Sequence, residues 1–275
     1  MKQKLFILGS TGFIGRFAVD LVLGDLQNIF TVEGLSFHQN ARLAFEQATM
    51  LGVRKVFTTS KEGYEEFKKL TTEIEVLYGA EAIKEECRNP KINVVLLAIV
   101  GFAGLEFALE SIIQSERILA IANKEAIICG NHLINKKLEK SKTRIIPVDS
   151  EHNSLYRLLK GCNEQAAESA FITSSGGPFC GKTFSELANV TTAEVVKHPI
   201  WQMGGKISVD SATMANKGLE LIEAYNLFPF LKSGSISAYI SKGSVLHAGL
   251  CMADGACTLF LSNPDMKLHI ANAMM

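Results

Sequence analysis

The sequence predicts an α/β protein: an N-terminal Rossmann-like, doubly wound parallel sheet followed by an α+β catalytic and connective domain. Three observations predict it. Short apolar runs alternate with helix-length segments from residue 4 to about 147, the rhythm of βαβ units. The first run feeds a glycine-rich turn, Gly9-Ser10-Thr11-Gly12-Phe13-Ile14-Gly15. Beyond residue 150 the rhythm changes and strand candidates gather near the end. The predicted domains are therefore 1–147, binding a dinucleotide, and 148–275, carrying substrate and metal.

Leu5-Phe6-Ile7-Leu8 is a continuous apolar run, as expected of a strand covered on both faces. Ala18, Leu21 and Val22 then recur at helical spacing between Arg16 and Leu23. Further strands are predicted over 30–35, 55–57, 75–77, 93–98 and 117–122, with helices over 41–50, 64–70, 80–87 and 105–115. Glycines between the first strand and helix permit a tight turn and bring backbone N–H groups to a pyrophosphate at the helix N-terminus. An acid specifying NAD is expected about 20 residues on. Glu33 is near that distance but lies inside the second strand, and the tip, Ser36-Phe37-His38-Gln39-Asn40, is uncharged. That tip permits NADP.

Arg144-Ile145-Ile146 reads as the end of a strand running into Pro147-Val148-Asp149-Ser150-Glu151-His152. In an extended backbone Asp149 and Glu151 project to the same side. Farther on, a helix capped by Asp210 or Ser211 puts Asn216, Lys217, Glu220 and Glu223 on one face, with Leu219 and Ile222 turned toward a core. Asp149, Glu151 and Glu220 would form an all-oxygen site for Mg2+ or Mn2+. The second domain also offers a hydroxyl-bearing glycine turn, Ser174-Ser175-Gly176-Gly177-Pro178-Phe179, after a strand at 171–173. His198-Pro199-Ile200-Trp201-Gln202-Met203-Gly204-Gly205 combines the single Trp with glycine hinges and reads as a lid. Strands are expected near 236–240, 245–251 and 257–261.

Lys plus Arg and Asp plus Glu number 28 each, so the basic footprint of a nucleic-acid binder is missing. Six cysteines include no C-x-x-C pair, which reads as reduced thiols in a cytoplasmic protein. Met1-Lys2-Gln3-Lys4 enters a strand directly, leaving no room for a signal peptide. The apolar stretch from Val94 to Leu105 is too short for a bilayer. The expected partners are a small substrate and a second copy of the chain, with neither nucleic acid nor membrane.

GSTGFIG at the start, ANKEA at 122–126, PVDSEH at 147–152, SGGPF at 175–179, HPIWQMGGKISVDSATMANKGLELIEA at 198–224 and PDM at 264–266 occur in that order. Together they resemble the 1-deoxy-D-xylulose 5-phosphate reductoisomerases of non-mevalonate isoprenoid biosynthesis, across essentially the whole chain. The resemblance implies Asp149, Glu151 and Glu220 as ligands of Mg2+ or Mn2+. It implies Lys124, Glu151 and His198 at the chemistry, and Ser150, Ser175, Trp201, Ser211, Asn216 and Lys217 around a phosphorylated sugar. For NADPH it implies Thr11, Gly12, Phe13, Ile14, Asn40, Asn123, Glu125, Met203 and Gly204. The implied reaction isomerises and reduces 1-deoxy-D-xylulose 5-phosphate to 2-C-methyl-D-erythritol 4-phosphate, in a homodimer joined through the second-domain sheet.

Four features depart from the family pattern, one being Phe37-His38-Gln39-Asn40, which lacks the small residues and Lys of some relatives and bears on the choice of NADPH over NADH. Phe13 replaces the usual Ser of the turn. Ser241–His247 keeps only Ser244 and His247 of a His-Pro-Gln-Ser-x-x-His segment. Relatives also continue beyond PDM into a C-terminal helical domain that is expected to be absent here. Alternative readings are a silent truncated relative that binds or dimerises, and a different NAD(P)-dependent reductase.

Overall fold

Two sheets, in two separate units, organise the chain. The computed structural model describes residues 2–162, 166–197, 205–231 and 235–275. The first unit comprises Met1–Val148 together with Met266–Met275, and the second comprises Asp149–Asp265.

In the first unit, β1 (Gln3–Leu8), β2 (Phe30–Phe37), β3 (Lys55–Thr58), β4 (Glu75–Tyr78), β5 (Val94–Leu97), β6 (Arg117–Ile121) and β7 (Thr143–Pro147) alternate with α1 (Phe13–Leu23), α2 (Ala41–Leu51), α3 (Lys61–Leu70), α4 (Ala80–Arg88), α5 (Gly104–Ser111) and α6 (Lys124–Leu138). The strands form one parallel sheet in the order β4-β3-β2-β1-β5-β6-β7. Leu5–Leu8 and Val94–Leu97 are fully buried, which is why they read as unbroken apolar runs rather than alternating ones. Strand order reverses between β1 and β5, where an open α/β sheet leaves a crevice for ligands. Side-chain oxygens of Asn40, Ser60 and Asn123 cap α2, α3 and α6, satisfying free N–H groups of each first turn.

Two local expectations shift here. The helix predicted over 105–115 ends at Ser111, where Ile112 turns extended and the Ser111 hydroxyl donates back to Phe107 O, 2.7 Å away. Such back-bonding competes with continued helix. Helix α6, lying behind the ANKEA run, was not anticipated as an element.

In the second unit, α7 (Ser150–Lys160), β8 (Ala167–Ser174), α8 (Phe184–Leu187), α9 (Thr192–Val195), α10 (Gly205–Ala212), α11 (Ala215–Leu227), β9 (Ile236–Ile240), β10 (Leu246–Met252) and β11 (Cys257–Leu261) follow one another. The sheet order is β11-β10-β8-β9, with β8 and β9 parallel and the other pairs antiparallel. Leu155, Leu159, Ile172, Ala224, Ile236 and Leu250 form the core between α7, α11 and one sheet face. Across the opposite face Phe171 meets Tyr239 edge-on, 5.4 Å between ring centroids. A side chain at Gly249 would run into Phe171 and Leu259, so these residues make one apolar row.

Helix α12 (Met266–Met274) belongs to the first unit, packing on α1 and on β5, β6 and β7. The sequence reading placed it in the second domain, because the chain there gives no sign of turning back.

Candidate active site

In the first unit, the turn after β1 is shaped by two glycines. Gly9 has φ +84°, and a Cβ there would lie 2.8 Å from Ala98 O, at the end of β5. A Cβ on Gly15 would lie 2.2 Å from Gly9 O. Ser36 on β2 fixes the turn from the other side, its carbonyl accepting from Gly9 N at 3.2 Å and Ser10 N at 2.8 Å. Gly12 caps α1 without a side-chain bond, leaving the first-turn N–H groups suited to an anion. A dinucleotide's pyrophosphate fits this cradle. Gly12 is exposed, and Thr11, Phe13 and Ile14 are half-buried beside it. The Phe13 ring packs edge-on against Phe17, 4.9 Å between centroids.

Asn40 is exposed and spends its Oδ1 on Leu43 N, 3.1 Å away. Asn123 is buried, donating from Nδ2 to Ile99 O and Gly101 O at 2.7 Å each and accepting from Ala126 N at 2.6 Å. Its amide thus holds the loop after β5 onto the start of α6. Lys124 and Glu125 occupy the first turn of α6, both half-buried.

The carboxyl groups of the second unit converge differently from the extended arrangement anticipated. Asp149 is the N-cap of α7 and accepts from Glu151 N at 3.3 Å, with Glu151 already in the first helical turn. The cap itself brings the two carboxyl groups together. Ligand atoms of Asp149, Glu151 and Glu220 all lie within 4.8 Å of one another.

The anticipated single helix beginning near Asp210 is two helices. Asp210 and Ser211 lie at the end of α10, and Met214, at φ +61°, breaks the run before α11 starts at Ala215. The buried face of α11 is also the reverse of the expected one. Lys217, Glu220, Glu223 and Ala224 are buried, whereas Ile222 is 49 % exposed and Leu219 half-buried. Charged groups tolerate such burial only when paired. Lys217 Nζ donates to Glu220 Oε2 and lies 3.8 Å from Glu151 Oε2; Asn216 donates to Glu220 Oε1. The Ser150 hydroxyl donates to Glu151 Oε2 at 2.7 Å.

His152 completes the cluster from beneath. Its Nδ1 is 2.9 Å from Asp149 Oδ1 and 3.8 Å from Glu223 Oε2, and its Nε2 is 2.8 Å from Glu220 O. Acceptors on both ring nitrogens call for the doubly protonated imidazolium. Burial alone would lower its pKa, but Glu223 and Asp149 outweigh that and push it up to about 9. Burial likewise works against the Lys217 ammonium and loses to Glu151, Glu220 and Asp149, so its pKa is raised. For Glu151 burial favours the neutral acid, yet Lys217, His247 and Ser150 hold its pKa below the usual value.

Among the described residues, four carboxyl groups here face two firmly cationic side chains, and a divalent cation suits that imbalance. The Asp149, Glu151 and Glu220 trio has the hard-oxygen character for it. A second grouping, Asp149, His152 and Glu223, is deeper, and both nitrogens of its imidazole are already committed.

The Ser174–Phe179 turn belongs to the same unit. Gly177 has φ +69°, and a Cβ there would sit 2.8 Å from Ser211 O. Only glycine lets this turn approach the end of α10 so closely. Ser174 Oγ lies 3.6 Å from Met214 Sδ. The structure thereby gathers the Ser175 turn, Ser211 and the start of α11 with Asn216 and Lys217. Ser175 Oγ accepts from Gly177 N at 3.2 Å.

His198, Trp201, Met203 and Gly204, the lid residues, lie outside the described residues. The sequence gives His152 no role, marks Glu223 only as part of the charged helix face, and marks His247 only as part of the altered 241–247 segment. Glu223 shares the helix face already singled out and His152 directly follows Glu151, so spacing could have found both. His247 Nδ1 is 3.7 Å from Glu151 Oε1 across the fold from β10, which local spacing cannot show.

The first unit defines a dinucleotide-binding domain and the second a carboxylate-rich, lysine-bearing site, the parts of a metal-assisted nicotinamide-dependent oxidoreductase. Family models described as 1-deoxy-D-xylulose 5-phosphate reductoisomerase and its C-terminal domain match residues 5–131 and 145–228. The chain belongs to the 1-deoxy-D-xylulose 5-phosphate reductoisomerase family. It is 38% identical over 274 residues to the reductoisomerase of Wolbachia pipientis subsp. Culex pipiens, covering 99% of this chain and 69% of that protein. It is 38% identical over 272 residues to that of Thermodesulfovibrio yellowstonii, covering 99% of this chain and 71% of that protein. A DOX-P reductoisomerase crystal structure with NADPH, fosmidomycin and magnesium superposes with a TM-score of 0.90 at 33% identity, over 98% of this chain and 69% of that one. The Zymomonas mobilis enzyme with NADPH gives 0.89 at 31% identity, over 99% of this chain and 70% of that one.

Proposed function

We propose that this chain converts 1-deoxy-D-xylulose 5-phosphate to 2-C-methyl-D-erythritol 4-phosphate with NADPH and Mg2+ or Mn2+. The observation that carries the reading is the interleaving of Asp149, Glu151 and Glu220 with Lys217 in one cluster, Glu220 and Lys217 buried and Asp149 and Glu151 half-buried, within the family just named. When bound, the cation supplies Lewis acidity to the substrate's oxygens and the dinucleotide supplies hydride.

The side chains do the rest. Asp149, Glu151 and Glu220 hold the cation, and His152 fixes two of these residues from behind. Ser175, Ser211, Asn216 and Lys217 take the phosphate. Ser150 and Lys124 orient the sugar backbone, and His198, Trp201 and Met203 close over it to exclude water. The glycine turn with Thr11, Gly12, Phe13 and Ile14 binds the dinucleotide, joined by Asn40, Asn123, Glu125 and Gly204. Phosphate binding remote from the reacting carbons contributes the energy for closure.

Two finer statements belong to the same proposal. The chain acts as a homodimer through the second-domain sheet, supported by an outer face on which Tyr239 is 59 %, Leu259 47 % and Leu261 59 % exposed. It works in the cytoplasm, supported by six cysteines that are all free. Among the described residues no helix is long and apolar enough to cross a membrane.

The test is NADPH oxidation by the purified chain with 1-deoxy-D-xylulose 5-phosphate, with and without Mn2+. Turnover that needs the metal and disappears in Glu220→Gln supports the reading. A folded chain that binds NADPH and Mn2+ yet never turns over removes it.

A further inference from the structure

The dinucleotide turn is also held from α2, by a buried amide. Gln47 is 2 % exposed, and the other buried residues of that helix are Ala41, Ala44 and Ala48. Its Nε2 donates to Ser10 O, 3.0 Å away. A carbonyl only accepts, so the nitrogen is the end of the amide that faces it. Gln47 Oε1 is buried with no hydrogen-bond partner among the described residues, as is the Ser10 hydroxyl. Leaving a buried acceptor unpaired is costly, and an apolar side chain of the same shape would avoid that cost. Stability alone therefore does not explain an amide at this position.

The geometry of the turn does explain it. Ser36 fixes the peptide before the Ser10 Cα, its carbonyl accepting from Ser10 N at 2.8 Å. Gln47 fixes the peptide after it, by donating to Ser10 O. A trans peptide is planar, with its N–H directed opposite to its C=O. Tying Ser10 O to α2 consequently turns the Thr11 N–H away from α2. Ser10 is fully buried, Thr11 half-buried and Gly12 exposed, so the chain emerges from the core on the side to which that N–H is turned. An anion at the start of α1 meets it there with the first-turn N–H groups.

We propose that Gln47 is a positioning residue for the dinucleotide's pyrophosphate, acting through the Ser10–Thr11 peptide. The inference rests on the dinucleotide reading of this turn and adds to it a residue that lies behind the cradle rather than in it.

The test compares the wild-type chain with Gln47→Met, which keeps the length and removes the donor, and with Gln47→Asn, whose amide is one methylene too short. Dissociation constants are measured for NADPH and for adenosine 2′-monophosphate, which shares the adenosine end but has no pyrophosphate. Both variants are expected to weaken NADPH about 3- to 10-fold, the range that one neutral hydrogen bond sustains. The constant for adenosine 2′-monophosphate is expected to stay at its wild-type value. Thermal unfolding of Gln47→Met is expected to match the wild type, because the unpaired Oε1 leaves together with the donor. The proposal is overturned if a folded Gln47→Met chain binds NADPH at wild-type strength. It is equally overturned if both ligands weaken by the same factor, or if Gln47→Met does not fold, since the amide is then a general support of the unit. A wild-type chain that binds no NADPH removes the dinucleotide reading itself, and the role of Gln47 with it.

Discussion

His152 shows how one residue serves the site without occupying its front. Its ring bridges Asp149 Oδ1 and the backbone of Glu220, so it ties the cap of α7 to the middle of α11. Residues that orient ligand groups in this way typically affect metal affinity by about 10–100-fold. His152→Gln should therefore weaken Mn2+ binding by about that factor, read from the electron paramagnetic resonance of free Mn2+ rather than from turnover. An unchanged Mn2+ isotherm would show that the bridge does not position the carboxyl groups. Glu220→Gln removes an oxygen of the trio itself, and both Mn2+ affinity and turnover should drop by more than about 100-fold.

At the scale of elements, the dinucleotide turn and the sheet edge make separable predictions. Gly15→Ala forces a Cβ to 2.2 Å from Gly9 O, a backbone collision that no rotamer relieves. NADPH quenching of protein fluorescence should be lost in that variant, and NADPH binding at wild-type affinity would contradict the assignment of the turn. Arg117 on β6 is buried and donates to Ile92 O, Cys87 O, Asn89 O and Ser111 O. The guanidinium closes the end of α4 and pins the chain entering β5. Arg117→Met leaves these carbonyls without it, and urea unfolding of the first unit should register a loss of about 3 kcal/mol or more.

The elements also show what was legible in the sequence. Strands β1, β5 and β6 are buried on both faces, so their apolar runs announced them directly. Hydrophobic periodicity in α11 points to the wrong buried face. The face it buries is the charged one, and that burial is made tolerable by pairing of Glu220 with Asn216 and Lys217 within the helix and by Glu151 and His152 of α7. Asp149 and Glu151 were correctly singled out as neighbours, although through strand alternation rather than the helix cap that brings them together. His247 could not be found from spacing at all, since its approach to Glu151 depends on how β10 packs against α7.

For the molecule as a whole, the outer face of the second sheet is where assembly can be tested. Replacing Leu259 with Lys puts a charge into the row formed with Phe171 and Tyr239, where burial against a second copy would be costly. Sedimentation should show a dimer for the wild-type chain and a monomer for Leu259→Lys. A wild-type monomer at micromolar concentration would remove the homodimer from the proposal.

The return of α12 to the first sheet has a thermodynamic consequence of its own. Since Met266–Met275 belongs with Met1–Val148, the entire second unit is, topologically, a loop inserted between β7 and α12. If that unit melts while the first stays folded, the docked α12 must close a long flexible chain. Closure entropy grows only logarithmically, about 0.6 kcal/mol per doubling of length. The first unit should thus lose a modest, nearly length-independent increment of stability whenever the second is unfolded. Chain connectivity alone would then make a ligand that stabilises the carboxylate site also slow hydrogen exchange in α12.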